Sequence, residues 1–188
     1  FAQRTAPEQS PNALNADINW DGLLYRIAAS DGAVTTIALG AVADTGVNTT
    51  AGGVTGCFPN QLQSVTIRGS LAYVPSICAS PRGPAEARVL THPVLSVVDL
   101  TAGAELAASP INLGAEMGNF YPAGDPANTK RRPLVTNSVF FNAAGDAYFT
   151  ANGADAVFRA VVAADGSASS VGMSATKGYI DLADPTLD

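Results

Sequence analysis

Short hydrophobic runs of four to seven residues recur along the chain and are separated by glycine, aspartate, asparagine and proline. The runs are rich in β-branched and aromatic side chains, which is typical of β-strands. The spacing of apolar residues that marks an amphipathic helix is nearly absent, and 12 prolines oppose long helices because proline lacks a backbone N–H donor. The pattern therefore predicts an all-β protein.

One kind of run occurs twice, as two strands joined by a short turn. The first copy covers residues 64–74, with SVTI before the turn and LAYV after it, and the second covers residues 138–150, with SVFF and AYFT. The Ala-Tyr pairs end at Tyr73 and Tyr148, about 75 residues apart. Self-similarity at a fixed offset indicates a repeat architecture.

A second kind of run occurs three times, as a strand that reaches a glycine turn and leads into another strand. Glycine suits such a tight turn because it adopts positive φ without steric cost. The copies run from Leu24 through Asp31-Gly32, from Leu95 to Gly103, and from Val157 through Asp165-Gly166. Taken in order, one unit reads strand, turn, strand, loop, strand, glycine turn, strand, which is the four-stranded antiparallel meander of a propeller blade.

We therefore predict an incomplete β-propeller of two to three four-stranded antiparallel blades. The predicted units are a partial blade at residues 1–57, a blade with a long insertion at 58–133, and a blade with the start of the next at 134–188. Closed propellers have four to eight blades, so an open arc would expose apolar faces and strand edges. We expect the missing blades to come from a longer polypeptide or from another chain.

The order of these elements resembles the YVTN-type β-propeller repeat family, in which a Tyr-Val-Thr-Asn-like strand end precedes a Val-x-Val-Ile-Asp strand and a Thr-Gly turn. YVPS at residues 73–76 and YFTAN at 148–152 are similar to the first element. VLSVVDLTAG at 94–103 is similar to the second, and VFR at 157–159 is a looser version. The resemblance implies a propeller fold, although an insertion from Cys78 to Pro93 makes the repeat longer than is usual in the family.

The net charge and the distribution of apolar residues limit the partners and the cellular locations that we predict for the chain. A net charge of −6 argues against nucleic-acid binding, which needs a basic surface. No run approaches the roughly 18 apolar residues of a membrane-spanning helix, and no signal-peptide pattern is present. Since the chain begins at Phe1, we expect either a removed leader or numbering that starts inside a longer polypeptide. We predict an extracytoplasmic location: periplasmic, secreted or at the cell surface.

The only two cysteines, Cys57 and Cys78, flank one predicted strand pair. In an oxidising compartment we expect them to form a disulfide, and two buried free thiols are the alternative. With a single histidine, His92, and no CxxC motif, the chain has too few soft ligands for a predicted metal site, and no cofactor is predicted.

Sequence motifs for catalysis are absent. There is no Gly-x-Ser-x-Gly, HExxH, Walker A or CxxCH motif, and a Ser-His-acid triad would depend on His92, which we interpret as a structural loop histidine. The GGVTG segment at 52–56 is interpreted as a flexible loop. Aspartates near turns are interpreted as turn-forming, with calcium between blades as the alternative. Asn48-Thr49-Thr50 matches an N-glycosylation acceptor.

Long polar segments at residues 42–56, 80–93 and 114–133 separate the units and are predicted to be loops suited to recognition. Aromatic residues at the loop edges could line a binding surface or pack between blades. The basic cluster at 130–132 could bind a partner or lie in a solvated loop. The candidate binding-loop residues are Trp20, Phe58, His92, Phe120, Tyr121, Arg131 and Arg132.

We predict a non-catalytic binding or assembly module of an extracytoplasmic β-propeller protein. Its expected partners are another protein, the remaining blades or a second copy of the chain. One alternative is part of a propeller enzyme, a hydrolase or an oxidoreductase partner, with its site at the central channel. Another alternative is a component of a cell-surface layer or filament.

Overall fold

A computed structural model describes residues 2–4, 20–80, 87–119, 131, 133–171 and 179–182. Within these residues the helices are α1 (Ala87–Leu90) and α2 (Leu113–Asn119). The prediction of an all-β fold is confirmed. The strands are β1 (Ala2–Arg4), β2 (Trp20–Ile27), β3 (Val34–Ala38), β4 (Phe58–Leu62), β5 (Thr66–Arg68), β6 (Leu71–Ala79), β7 (Thr91–Asp99), β8 (Ala104–Glu105), β9 (Ile111–Asn112), β10 (Val135–Phe141), β11 (Asp146–Asn152), β12 (Ala156–Val162), β13 (Ala168–Ser170) and β14 (Tyr179–Asp181).

The strands form three antiparallel sheets. Sheet 1 has the order β1-β2-β3. Sheet 2 has the order β4-β6-β7-β8, with β5 also paired to β6 and β9 also paired to β7. Sheet 3 has the order β10-β11-β12-β13, with β14 also paired to β12. Sheets 2 and 3 therefore share a central arrangement. Two successive strands (β6-β7 and β11-β12) pair with each other, the first of them also pairs with what precedes it (β4 and β5, or β10), and the second also pairs with two short strands that follow (β8 and β9, or β13 and β14).

The two predicted Ala-Tyr strands, β6 and β11, occupy the same position in sheets 2 and 3. Tyr73 in β6 is paired with Val97 in β7, and Tyr148 in β11 is paired with Arg159 in β12. The register thus makes Tyr73 equivalent to Tyr148 and Val97 equivalent to Arg159.

Sheet 2 lies between the other two sheets, and successive residues of β6 point to opposite sides. Ala72 and Val74 pack with Ile37 of sheet 1, whereas Tyr73 packs in a second core with Phe149 of sheet 3. Because both faces of sheet 2 are covered, β6 and β7 are almost continuously buried. This explains why their sequences read as apolar runs rather than as a strict alternation.

Side chains also join sheets 2 and 3 directly. The Ser64 and Thr66 hydroxyls each donate a hydrogen bond of 2.8 Å to a backbone carbonyl of β10. The rings of Tyr73 and Phe141 lie 4.5 Å apart, and the Arg68 guanidinium lies 5.1 Å from the centre of the Phe141 ring. Contacts of this kind fix the position of one sheet on the next.

Residues 42–56 contain no helix or strand, as expected for a loop, and they form a hairpin in which Thr45 donates to Thr55 and Thr49 donates to Gly53 through their backbones. Two other expectations about the connecting segments are wrong. The segment at 114–133 begins inside a helix, α2. Strand β14 pairs with β12 and so belongs to sheet 3, whereas the tail was expected to begin a further unit. Short helices and turns held by polar side chains lack the hydrophobic periodicity on which the expectations depended.

Across the described ranges, helices are too short and too polar to cross a membrane.

Candidate binding cleft

A cleft of about 520 Å³ lies where the end of β6 and the start of β7 in sheet 2 meet the start of β10 in sheet 3. This volume is within the range of about 300–1,000 Å³ that is typical of small-molecule sites. Among the described residues, its apolar lining comprises Val47, Ile77, Pro93, Pro133, Leu134 and Val135, and its polar lining comprises Gln61, Thr91, His92 and Asn112. Gln61 and Thr91 are exposed, so the cleft opens to solvent on their side.

His92 is the second residue of β7 and is paired with Cys78 across β6 and β7. Its side chain is buried, with the residue only 3% exposed. Burial lowers the pKa of the His92 imidazole below its ordinary value of 6.5. A hydrogen-bonding interaction with the Val89 backbone raises the pKa, but its effect is smaller. The ring is therefore neutral at pH 7.

The Asn112 side chain contacts the ring nitrogen Nδ1 of His92. Asn112 Oδ1 accepts the backbone N–H groups of Gly114 and Ala115, which caps the start of α2 and fixes the orientation of the amide. Its Nδ2 donates to the Thr45 carbonyl at 2.6 Å and lies 3.4 Å from His92 Nδ1. Nδ1 is the acceptor in this contact when the neutral ring carries its proton on Nε2.

His92 Nε2 is buried and makes no hydrogen bond of normal geometry with any described residue. A buried donor without a partner costs on the order of 1–3 kcal/mol. His92 is one of the residues that line the cleft, so a molecule bound there would lie next to the residue that carries this buried nitrogen.

The hairpin at 42–56 forms one wall of the cleft and is held by polar and covalent contacts. The hydroxyls of Thr45 and Thr55 lie 2.7 Å apart, and that of Thr55 donates to the Val47 carbonyl at 2.6 Å. At the base of the hairpin, Cys57 is bonded to Cys78 with an S–S distance of 2.03 Å. Val47 is therefore positioned by the hairpin's own hydrogen bonds and by the disulfide.

None of the described lining residues carries a charge, and they include no cysteine and no serine. Elsewhere in the described part of the chain, no three His, Cys, Asp or Glu side chains are grouped so that they could hold a metal ion.

The predicted site residues are dispersed. The disulfide between Cys57 and Cys78 is present. Phe58 is the first residue of β4, half-buried and paired with Ala79. Trp20 begins β2, and Arg131 forms an ion pair with Asp181 at 3.4 Å. Phe120, Tyr121 and Arg132 lie outside the described residues.

His92 was expected in a loop and lies instead within a strand, beside the disulfide. Phe58 lies at the same end of sheet 2 as His92, because β4 and β7 both pair with β6 there. The sequence interpretation missed Asn112 and Thr45. An asparagine before a short helix is an N-cap signal, but it did not indicate contact with a histidine 20 residues earlier.

The folded state of this protein should lose stability as the pH falls below about 6.5, because the unfolded chain binds a proton at His92 more readily than the folded chain does. The contribution is fully present above the unfolded pKa and is lost as pH falls towards the lower folded pKa. For one proton, the slope cannot exceed about 1.4 kcal/mol per pH unit. Urea denaturation from pH 7.5 to 5.0 measures it.

The variant His92→Gln removes the only histidine and should flatten this pH dependence, whatever its effect on absolute stability. An unchanged slope in the variant would contradict the assignment.

Comparison of the chain with protein-family models, curated proteins and solved structures gave no match.

Proposed function

We propose that this chain is a non-catalytic binding module of an extracytoplasmic β-propeller protein, and that it binds an uncharged, mainly apolar ligand in the His92 cleft. The observation that carries the proposal is the mainly apolar cleft bordered by His92, whose buried Nε2 makes no hydrogen bond of normal geometry with any described residue. A binding site of this kind needs only one such donor to orient a ligand that its apolar walls enclose.

Two features support the propeller architecture. Sheets 2 and 3 have the same order in their four main strands, and the three sheets pack against one another in chain order. This order agrees with what the resemblance to YVTN-type repeats implies. The extracytoplasmic location is supported by the disulfide, because such bonds persist in oxidising compartments.

The ligand class follows from the charges of the site. A neutral imidazole cannot compensate a buried anion, and no described lining residue offers a counter-charge to an anion or a cation. The ligand is therefore uncharged and carries an acceptor oxygen, such as a carbonyl, attached to an apolar body.

Acetophenone serves as a probe with this chemistry, and cumene serves as its near-isosteric control without the oxygen. In NMR spectra of ¹⁵N-labelled protein, acetophenone should shift the Nε2–H resonance of His92. The variant His92→Phe keeps an aromatic ring but removes the donor, and should bind acetophenone roughly three- to tenfold more weakly, the value of one neutral hydrogen bond. Cumene should bind both proteins alike.

The variant Val65→Thr is the control, because Val65 is exposed and does not line the cleft, and it should leave acetophenone binding unchanged. Acetophenone that leaves the Nε2–H resonance unshifted, or binds His92→Phe as tightly as the unmodified chain, would overturn the proposal.

A further inference from the structure

The turn between β11 and β12 contains the only Asn-Gly dipeptide of the chain, Asn152-Gly153. The last pair between these two strands joins Ala151 to Ala156, so the dipeptide lies beyond the ladder that connects β11 to β12. Both residues of the dipeptide are exposed. The Asn-Gly bond is therefore in contact with water at the tip of a hairpin.

Gly153 has a backbone conformation that requires glycine. Its φ is +76°, a region that residues with a side chain rarely adopt. The lack of a side chain also leaves its backbone nitrogen unshielded on the side of the preceding residue. The Gly153 N–H makes no hydrogen bond with any residue that the structure describes, so no acceptor holds this nitrogen in place.

The side-chain amide of Asn152 is held by a neighbouring asparagine. Asn137 in β10 donates a hydrogen bond from its Nδ2 to Asn152 Oδ1 at 2.7 Å. Negative charge would develop on Oδ1 if a nucleophile attacked the amide carbon, and a donor already aimed at that oxygen stabilises such charge. Within the described ranges, Asn152 Nδ2 has no acceptor, so this group is free to leave into solvent.

We propose that Asn152-Gly153 is a self-modifying site, at which the Gly153 backbone nitrogen attacks the side-chain amide of Asn152. A bond forms between Gly153 N and Asn152 Cγ, and the bond between Cγ and Nδ2 breaks. The nitrogen of Gly153 loses its proton to solvent, and Nδ2 takes up a proton and leaves as ammonia. The two groups belong to adjacent residues, so the attack needs no encounter of separate molecules.

The product of this step is a cyclic succinimide, which water then opens. Addition of water at the former side-chain carbonyl gives aspartate in place of Asn152, and addition at the main-chain carbonyl gives isoaspartate. The net change is the uptake of water and the release of ammonia. No atom is oxidised or reduced, and water is the only co-reactant.

The turn at the other end of β11 provides an internal comparison. Asn142 is also exposed, and its Oδ1 also accepts hydrogen bonds, from the backbone N–H groups of Gly145 and Asp146. It is followed by Ala143, whose methyl group shields the attacking nitrogen, and its Nδ2 donates to Asp146 Oδ2 at 3.1 Å. Asn142 therefore lacks both the glycine and the free leaving group that distinguish Asn152.

Either product changes the hairpin. Both add a negative charge close to the exposed Asp155, and isoaspartate also inserts a methylene group into the main chain. Because Ala154 and Ala156 are buried in the core between sheets 2 and 3, the longer main chain should disturb that core. The inference does not rest on ligand binding in the cleft.

Peptide mass spectrometry of the full chain after incubation for several weeks at pH 8 tests the inference, with a sample digested without incubation as the reference. The peptide that contains Asn152 should gain the mass difference between an amide and an acid, and enzymatic methylation should detect isoaspartate in it. Asn142 should stay unmodified over the same time. The variant Asn152→Gln should stay unmodified at position 152, because its longer side chain disfavours ring closure.

The variant Asn137→Ala removes the donor and should slow conversion of Asn152 in the folded chain roughly three- to tenfold, the value of one neutral hydrogen bond. In urea, where this hydrogen bond is absent, the variant and the unmodified chain should convert at the same rate. Asn137→Asp, which keeps the shape without the donor, serves if circular dichroism shows that Asn137→Ala is not folded. A folded chain that keeps Asn152 intact while the urea-unfolded chain is converted would rule the inference out, as would an unchanged folded-state rate without the Asn137 donor.

Discussion

Replacing Phe149 with alanine should lower the free energy of unfolding by about 4 kcal/mol. Phe149 is fully buried in the core between sheets 2 and 3, where it packs with Tyr73 and Phe158. The substitution removes the transfer free energy of the ring and leaves a cavity between two sheets that cannot easily close. Urea denaturation at pH 7.5, at a concentration where the chain is monomeric, measures the loss.

Phe140→Ala is the matched control, since Phe140 lies on the strand next to Phe149 but on the opposite face. At 58% exposure it should cost about 0.5 kcal/mol or less. Equal losses for the two variants would mean that the sheets do not pack through the face that contains Phe149.

Breaking the disulfide should lower the free energy of unfolding by about 3 kcal/mol. Cys57 and Cys78 are separated by 21 residues. A crosslink that closes a loop of this length lowers the conformational entropy of the unfolded chain, which stabilises the folded state by about 3 kcal/mol. Denaturation with and without a reductant measures the difference. The double variant Cys57→Ala with Cys78→Ala is the control, because a reductant should not change its stability.

The disulfide also anchors the hairpin at 42–56, so its removal should weaken acetophenone binding in the cleft along with stability. A denaturation curve that is identical with and without the reductant would contradict the predicted role of the bond.

The repeated strands were predictable from the sequence because their signal is local. Alternating apolar residues and a glycine turn mark β11 and β12, and the continuous apolar stretches of β6 and β7 mark strands covered on both sides. What the pattern does not contain is the pairing of faces between sheets. A period of two creates two sides to each strand, and only the side chains of another sheet decide which side packs where.

The cleft was not predictable for a related reason. Its polar chemistry depends on Asn112, which contacts His92 in β7 and Thr45 in a hairpin 67 residues earlier. Each of these residues is unremarkable in its own segment, since an asparagine at a turn and a histidine before a proline have ordinary local roles. Their shared hydrogen bonds form only in the folded chain, where the hairpin packs against sheet 2.

The covered position of sheet 2 has an evolutionary consequence. A change at Ala72 must be accommodated by sheet 1 and a change at Tyr73 by sheet 3. Substitutions on either side of β6 are therefore constrained by a neighbouring sheet. At Ile27 in sheet 1 and Phe140 in sheet 3, which are 66% and 58% exposed, a substitution meets mainly solvent. Among descendants of this protein, the middle segment should diverge most slowly, and paired changes should accumulate across its two borders.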